Sequence, residues 1–151
     1  MEDFPVKYRY THLEKAVEVC ASLVIFFINL KQEVGFISSG LIYDTHPHIR
    51  MMGGHGHGML LLENLAVIKG CTGPVDIIDL INNARITFPN GTRIILISPS
   101  LKEIHIQSFA SNRRKRMFLE YIPVTDQKKK HIHPDIKTFS LSELEGEVLY
   151  V

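Results

Sequence analysis

The stretch Thr92-Arg93-Ile94-Ile95-Leu96-Ile97 constrains the fold of this chain more than any other. It is short, rich in β-branched residues and unbroken by a polar side chain after Arg93. A strand that apolar is expected to be covered on both faces, as in a parallel sheet flanked by helices. Pro89-Asn90-Gly91 supplies a turn in front of it, and Ser100-Leu101-Lys102-Glu103 has the pattern of a capping box opening a helix to about residue 111. Residues 117–122 then read as the next strand. Strand, helix and strand in that order form a βαβ unit, whose two strands run parallel because the crossover returns the chain to the same end of the sheet.

Ahead of this unit, residues 1–10 read as an extended lead-in, and Thr11-His12-Leu13-Glu14 as a capping box starting a helix. Between residues 13 and 30 apolar side chains fall on nearly every face, which predicts a helix covered on most sides. Residues 33–38 and 41–44 read as two strands of an antiparallel hairpin turned at Ser39-Gly40. Residues 45–58 read as loop from their glycines and Pro47, followed by a helix over 59–68. A third helix opens near Thr72-Gly73-Pro74, with proline at a favoured first position, and carries Leu80 and Ile81. Beyond the βαβ unit come a polar loop over 125–140, a short helical segment at 141–144 and a final edge strand at 147–151. The expected fold is a three-layer α/β domain over residues 1–151, with a mostly parallel, doubly wound sheet and one antiparallel edge hairpin.

Composition bounds the functions open to such a chain. With 151 residues, 45% of them hydrophobic and a formal net charge of +1, it can bury one core and carries no overall pull toward nucleic acid or an anionic membrane. The apolar run over residues 19–30 falls short of the roughly 20 apolar residues a spanning helix needs. Cys20 and Cys71 lack any C-x-x-C spacing and sit in apolar or turn contexts, so reduced thiols and a cytoplasmic setting are expected.

Several stretches carry a family resemblance: residues 13–23, Val34-Gly35-Phe36, Leu62-Glu63-Asn64-Leu65-Ala66, and Asn90-Gly91-Thr92 through Pro99. In that order they resemble the C-terminal region of the family called domain of unknown function 58, which is similar to von Willebrand factor A domains. The resemblance implies a first, central strand with a D-x-S-x-S metal motif just before residue 1, so that the chain reads as N-terminally truncated. It also implies a protein partner, a MoxR-type AAA+ ATPase. Without the missing strand, the strands at 34–38 and 92–97 would be left as unpaired edges. They are expected to pair directly or to borrow a strand from a neighbouring molecule, as in strand exchange or a homodimer.

Candidate sites follow from these placements. A Mg²⁺ site of the A type needs hard oxygen ligands from the absent first motif, and at the end of the 92–97 strand the chain offers only Ser98-Pro99-Ser100, so no Mg²⁺ and no other cofactor is expected. His46, His48, His55 and His57 cluster in the glycine-rich stretch, and imidazole suits Zn²⁺, Ni²⁺ or Cu²⁺, but their H-x-H spacing matches no strong metal signature. They are the basis of an alternative, a metal-dependent hydrolase or metal-binding protein. His131 and His133 repeat the spacing. Gly53-Gly54-His55-Gly56-His57-Gly58 opens a helix without the Lys-Ser/Thr of a phosphate loop. The basic run holding Arg113, Arg114 and Arg116 suits a helix C-terminus, and reads as a solvated surface or a docking patch for an acidic partner more than as a nucleic-acid site, because the overall charge is near neutral and no aromatic stacking platform adjoins it. No G-x-S-x-G elbow or local nucleophile and base pair occurs. The expectation is therefore a binding module rather than an enzyme, meeting its partner through Ser38, Ser39, Ser98, Ser100 and the arginines, since open α/β sheets bind at the carboxyl ends of their strands.

Overall fold

Between residues 6 and 29 the sequence holds neither glycine nor proline, and in the computed structural model this whole stretch is one helix, α1 (Val6–Asn29). The structure describes residues 6–70, 77–84, 88–98, 118–124 and 136–139. Residues 6–10, expected as an extended lead-in, are thus helical, and Thr11 and Glu14 sit inside the helix instead of capping it. A capping box is worth about 1 kcal/mol, and with neither glycine nor proline between residues 6 and 29 nothing in the backbone stops the helix from running through it. At its other end α1 closes with a Schellman pattern: Gln32 N–H donates to Phe27 O at 3.0 Å and Lys31 N–H to Ile28 O at 2.9 Å, with Lys31 in the left-handed region at φ 59.

The chain forms two compact units, Met1–Ile86 and Thr87–Val151, where the sequence reads as one domain. The first holds α1, β1 (Val34–Ile37), β2 (His48–Met52), α2 (His55–Val67) and α3 (Ile77–Ala84). Its core is Val24 and Ile28 of α1 against Leu61 and Leu65 of α2, with Val17, Cys20, Ala21, Val34, Phe36 and Ile49 packed around them. The α1 positions 17, 20, 21, 24 and 28 make one stripe at helical spacing. The apolar side chains between 13 and 30 are buried or half-buried, with two exceptions: Ile25, 49% exposed, and Leu30, 54% exposed just past the helix end. The partners available to α1 in this unit, α2 and the hairpin, cover the stripe, and the flanking apolar residues of α1 are half-buried except Ile25.

The hairpin differs in its second strand. β1 pairs antiparallel with β2 (Val34↔Met52, Phe36↔Ile49, Ile37↔His48), with a register shift between Val34 and Phe36, instead of with residues 41–44. Gly35 stands at that irregularity, where a Cβ would lie 2.9 Å from both Ile49 O and Met51 Cγ. Residues 41–45 make a smaller structure: Leu41 exchanges two hydrogen bonds with Lys69, at 2.8 and 2.9 Å, and Ile42 exchanges two with Thr45 around a two-residue turn. The expected loop over 45–58 therefore contains β2 and the first turn of α2. That helix begins at His55, after Gly54 at φ 92, and not at Met59. The start of α3 expected near Pro74 lies outside the described residues.

The second unit holds a three-stranded parallel sheet in the order β3-β4-β5, from β3 (Arg93–Ser98), β4 (Phe118–Pro123) and β5 (Lys137–Thr138). β3 and β4 fall one residue from the stretches the sequence marks as strands. Leu96, Leu119, Tyr121 and Ile122 are buried, and Leu119 and Ile122 point to opposite faces because strand side chains alternate. An ion pair between Arg93 and Glu120, 2.6 Å from Nη2 to Oε2, joins the strands near their amino ends. β5 arises within the stretch read as a polar loop, anchored by buried Ile136. Thr138 Oγ1 is buried there without a hydrogen-bond partner. The expected helices at 100–111 and 141–144 and the strand at 147–151 lie outside the described residues.

The molecule is thus a small α/β protein with a parallel three-stranded sheet and an antiparallel two-stranded one. Direct pairing of the 34–38 and 92–97 strands does not form: β1 bonds to β2, and β3 to β4, in separate sheets.

Leu61 is fully buried at the centre of the α1–α2 contact. Leu61→Ala is expected to cost about 2 to 5 kcal/mol, read as a lower urea midpoint for the first unit by far-ultraviolet circular dichroism.

Candidate functional site

The two helices of the first unit approach closely where α2 carries glycine. A Cβ on Gly58 would sit 3.3 Å from Ile28 Cγ1, so the missing side chain lets α1 and α2 meet and leaves an open trough beside the contact. Ile25, Ile28 and Asn29 of α1 and His55, Met59 and Leu62 of α2 line it, enclosing about 170 Å³. Its rims are apolar and in solvent, with Ile25 49% and Met59 56% exposed. The sequence signal for this groove is the surplus of apolar residues around α1, more than one stripe requires.

The histidines do not converge. His57, buried at the start of α2, lies with Nε2 2.7 Å from Val34 O. A carbonyl only accepts, so Nε2 carries the proton and donates, tying α2 to β1. His46 Nδ1 lies 3.2 Å from Gly40 O and donates in the same way. His48 is on β2, and His55 is exposed at the groove. Among the described residues no group of three or more His, Cys, Asp or Glu side chains is placed to hold a metal ion. His131 and His133 lie outside them.

The serines expected to meet a partner have local work. Ser38 Oγ accepts the Gly40 N–H at 2.9 Å and its own N–H donates to Pro47 O at 3.2 Å, shaping the chain after β1. Ser39 follows in the same bend, half-buried. Ser98 ends β3, and its carbonyl accepts from Tyr121 Oη at 3.1 Å and from Val124 N–H at 3.2 Å. Ser100, Arg113, Arg114 and Arg116 lie outside the described residues.

Cys20 is half-buried as a residue, but its thiol packs toward the α1–α2 core, and burial pushes its pKa up to about 12 from 9.0. A neutral buried thiol is neither a nucleophile nor a metal ligand. Burial likewise raises Tyr121 to about 12 from 10.0, which keeps its hydroxyl a donor to Ser98. Comparisons with protein-family models, with curated proteins and with solved structures give no match.

His57→Ala is expected to cost about 1 to 3 kcal/mol, because it removes a buried side chain and its hydrogen bond to Val34 O, whereas His55→Ala stays within about 0.5 kcal/mol; urea titration of both variants checks the difference. In a Cys71→Ser background, Cys20 should resist iodoacetamide in the folded protein and react at once in denaturant. The unfolded thiol ionises near 9.0 and the folded one near 12. Its contribution to stability is therefore complete below pH 9 and declines as the pH rises toward 12. A pH series of urea midpoints with Cys20→Ala as control reads this directly.

Proposed function

We propose that the chain is a protein-interaction module without chemistry of its own, and that the α1–α2 groove receives an apolar anchor side chain of the partner. The observation that carries this is the pair of large apolar side chains, Ile25 and Met59, left in solvent on either side of a groove floored by Ile28 and Leu62. Its size decides between ligand classes. About 170 Å³ is below the roughly 300 Å³ at which small-molecule pockets begin, yet a cavity of about 150 Å³ accepts a benzene ring. One leucine or aromatic side chain of a protein fits that range.

The sequence resemblance nominates the partner, a MoxR-type AAA+ ATPase. It also supports taking β3-β4-β5 as one half of a von Willebrand factor A-like sheet. Among the described residues no helix is long and apolar enough to cross a membrane, and we place the module in the cytoplasm with that ATPase.

The test is calorimetric titration of the full chain with a purified MoxR-type ATPase. Met59→Glu and Ile25→Glu are expected to weaken binding at least tenfold, as loss of a central anchor contact does, with the urea midpoint unchanged. Binding that ignores both substitutions would remove the groove from the interface, and an ATPase that does not bind at all would remove the partner.

A further inference from the structure

The turn at Tyr43-Asp44 is unusual in what it presents. Both residues have positive φ, 49 for Tyr43 and 60 for Asp44. Ile42 N–H donates to Thr45 O at 2.9 Å, Thr45 N–H to Ile42 O at 3.1 Å, and Thr45 Oγ1 to Ile42 O at 2.8 Å. Left-handed conformation at both central positions, closed by a reciprocal bond pair, is the type I′ arrangement that Asn-Gly ordinarily fills. A bulky side chain there is strained, because its Cβ crowds the following carbonyl. Packing does not compensate the strain, as Tyr43 is 92% exposed. The flanking bonds, with Leu41 tied to Lys69, hold this strained tip in one conformation. The backbone bonds of the turn offset the strain while the Tyr43 side chain returns nothing to the fold, and an exposed aromatic held at a strained tip is a candidate for contact with another molecule.

The chemistry of the tip indicates what that contact is. Tyr43 offers an open ring face, and the exposed Asp44 carboxylate stands next to it in the chain. Asp44 makes no ion pair among the described residues, and between Ser38 and His48 it is the only formally charged side chain. An aromatic face beside an unneutralised carboxylate complements a flat cation with an apolar body: the ring attracts the charge through its quadrupole and the carboxylate pairs with it. Guanidinium satisfies both better than ammonium, being planar and weakly hydrated.

We infer that the Tyr43-Asp44 turn is a rigid docking tip for an arginine-bearing segment of a protein partner. The inference does not depend on the α1–α2 groove, which shares no residue with it, so either can fail alone.

The experiment uses the full chain, labelled with ¹⁵N, titrated with a short peptide carrying two arginines and with its lysine and glutamate counterparts. The arginine peptide is expected to produce saturable shifts at the Tyr43, Asp44 and Thr45 amides, the lysine peptide weaker ones and the glutamate peptide none. Tyr43→Asn suits the left-handed turn; it should raise Tm by relieving the strain while weakening the arginine peptide roughly fivefold. Tyr43→Phe keeps the ring face and should bind as the parent does, and Asp44→Asn should weaken binding and flatten its salt dependence. Equal shifts with the glutamate peptide, unchanged affinity in Tyr43→Asn, or no saturable shift at the turn would each overturn the docking tip. A lower Tm in Tyr43→Asn would overturn the strain from which it is argued.

Discussion

The first unit depends on one close approach, that of Ile28 on α1 to the bare backbone of Gly58 on α2. Glycine inside a helix costs about 1 kcal/mol relative to alanine, and α2 accepts it at both Gly56 and Gly58. At Gly58 the helices then come near enough for Val24, Ile28, Leu61 and Leu65 to bury one another. The hydrogen bond from buried His57 to Val34 O, one residue earlier, fixes the same helix start to β1. Core, hairpin and groove therefore share a single junction, and a bulkier residue at position 58 would disturb all three.

That junction explains why the glycine- and histidine-rich stretch is not a loop. Judged by local preference, Gly53 through Gly58 avoids helix, and its histidines resemble an exposed metal-binding cluster. Packing overrides the preference: the helix extends back to His55 because Gly58 and His57 are needed against α1 and β1. His57 serves as a structural donor, His46 closes a backbone contact with Gly40, and His48 lies on β2 while His55 and His57 open α2. The Tyr43-Asp44 turn is hidden in the sequence for the complementary reason. Tyrosine after Leu41-Ile42 has strand preference, and the glycine or asparagine that signals a tight turn is missing. Two reciprocal backbone bonds made the turn without them.

The second unit was more legible. β3 and β4 lie within one residue of the apolar runs that mark them, and their parallel pairing follows from the length of chain between them. β5 was not legible, since Lys137-Thr138 lies in a polar stretch and is a strand only through its bonds to β4. The serines singled out near strand ends are real strand-end residues, yet Ser38 bonds to the chain around its own turn and the Ser98 carbonyl to Tyr121 and Val124 of the β4 end. What the sequence did not place was the groove, although the apolar excess around α1 that leaves Ile25 in solvent is written in it.

By itself the sequence determined where helices and apolar strands could form, that β3 and β4 run parallel, and that α1 carries more apolar surface than one contact can cover. These are properties of local period and chain connectivity, set by residues a few positions apart. Only the tertiary structure decided that β1 pairs with β2, that α2 starts among glycines, and that the chain makes two sheets instead of one. It also decided which apolar residues of α1 are buried and which line a groove. Pairing and burial are non-local: a strand or helix face gains from whichever partner the rest of the chain brings to it, and that choice is not encoded in the period of either segment.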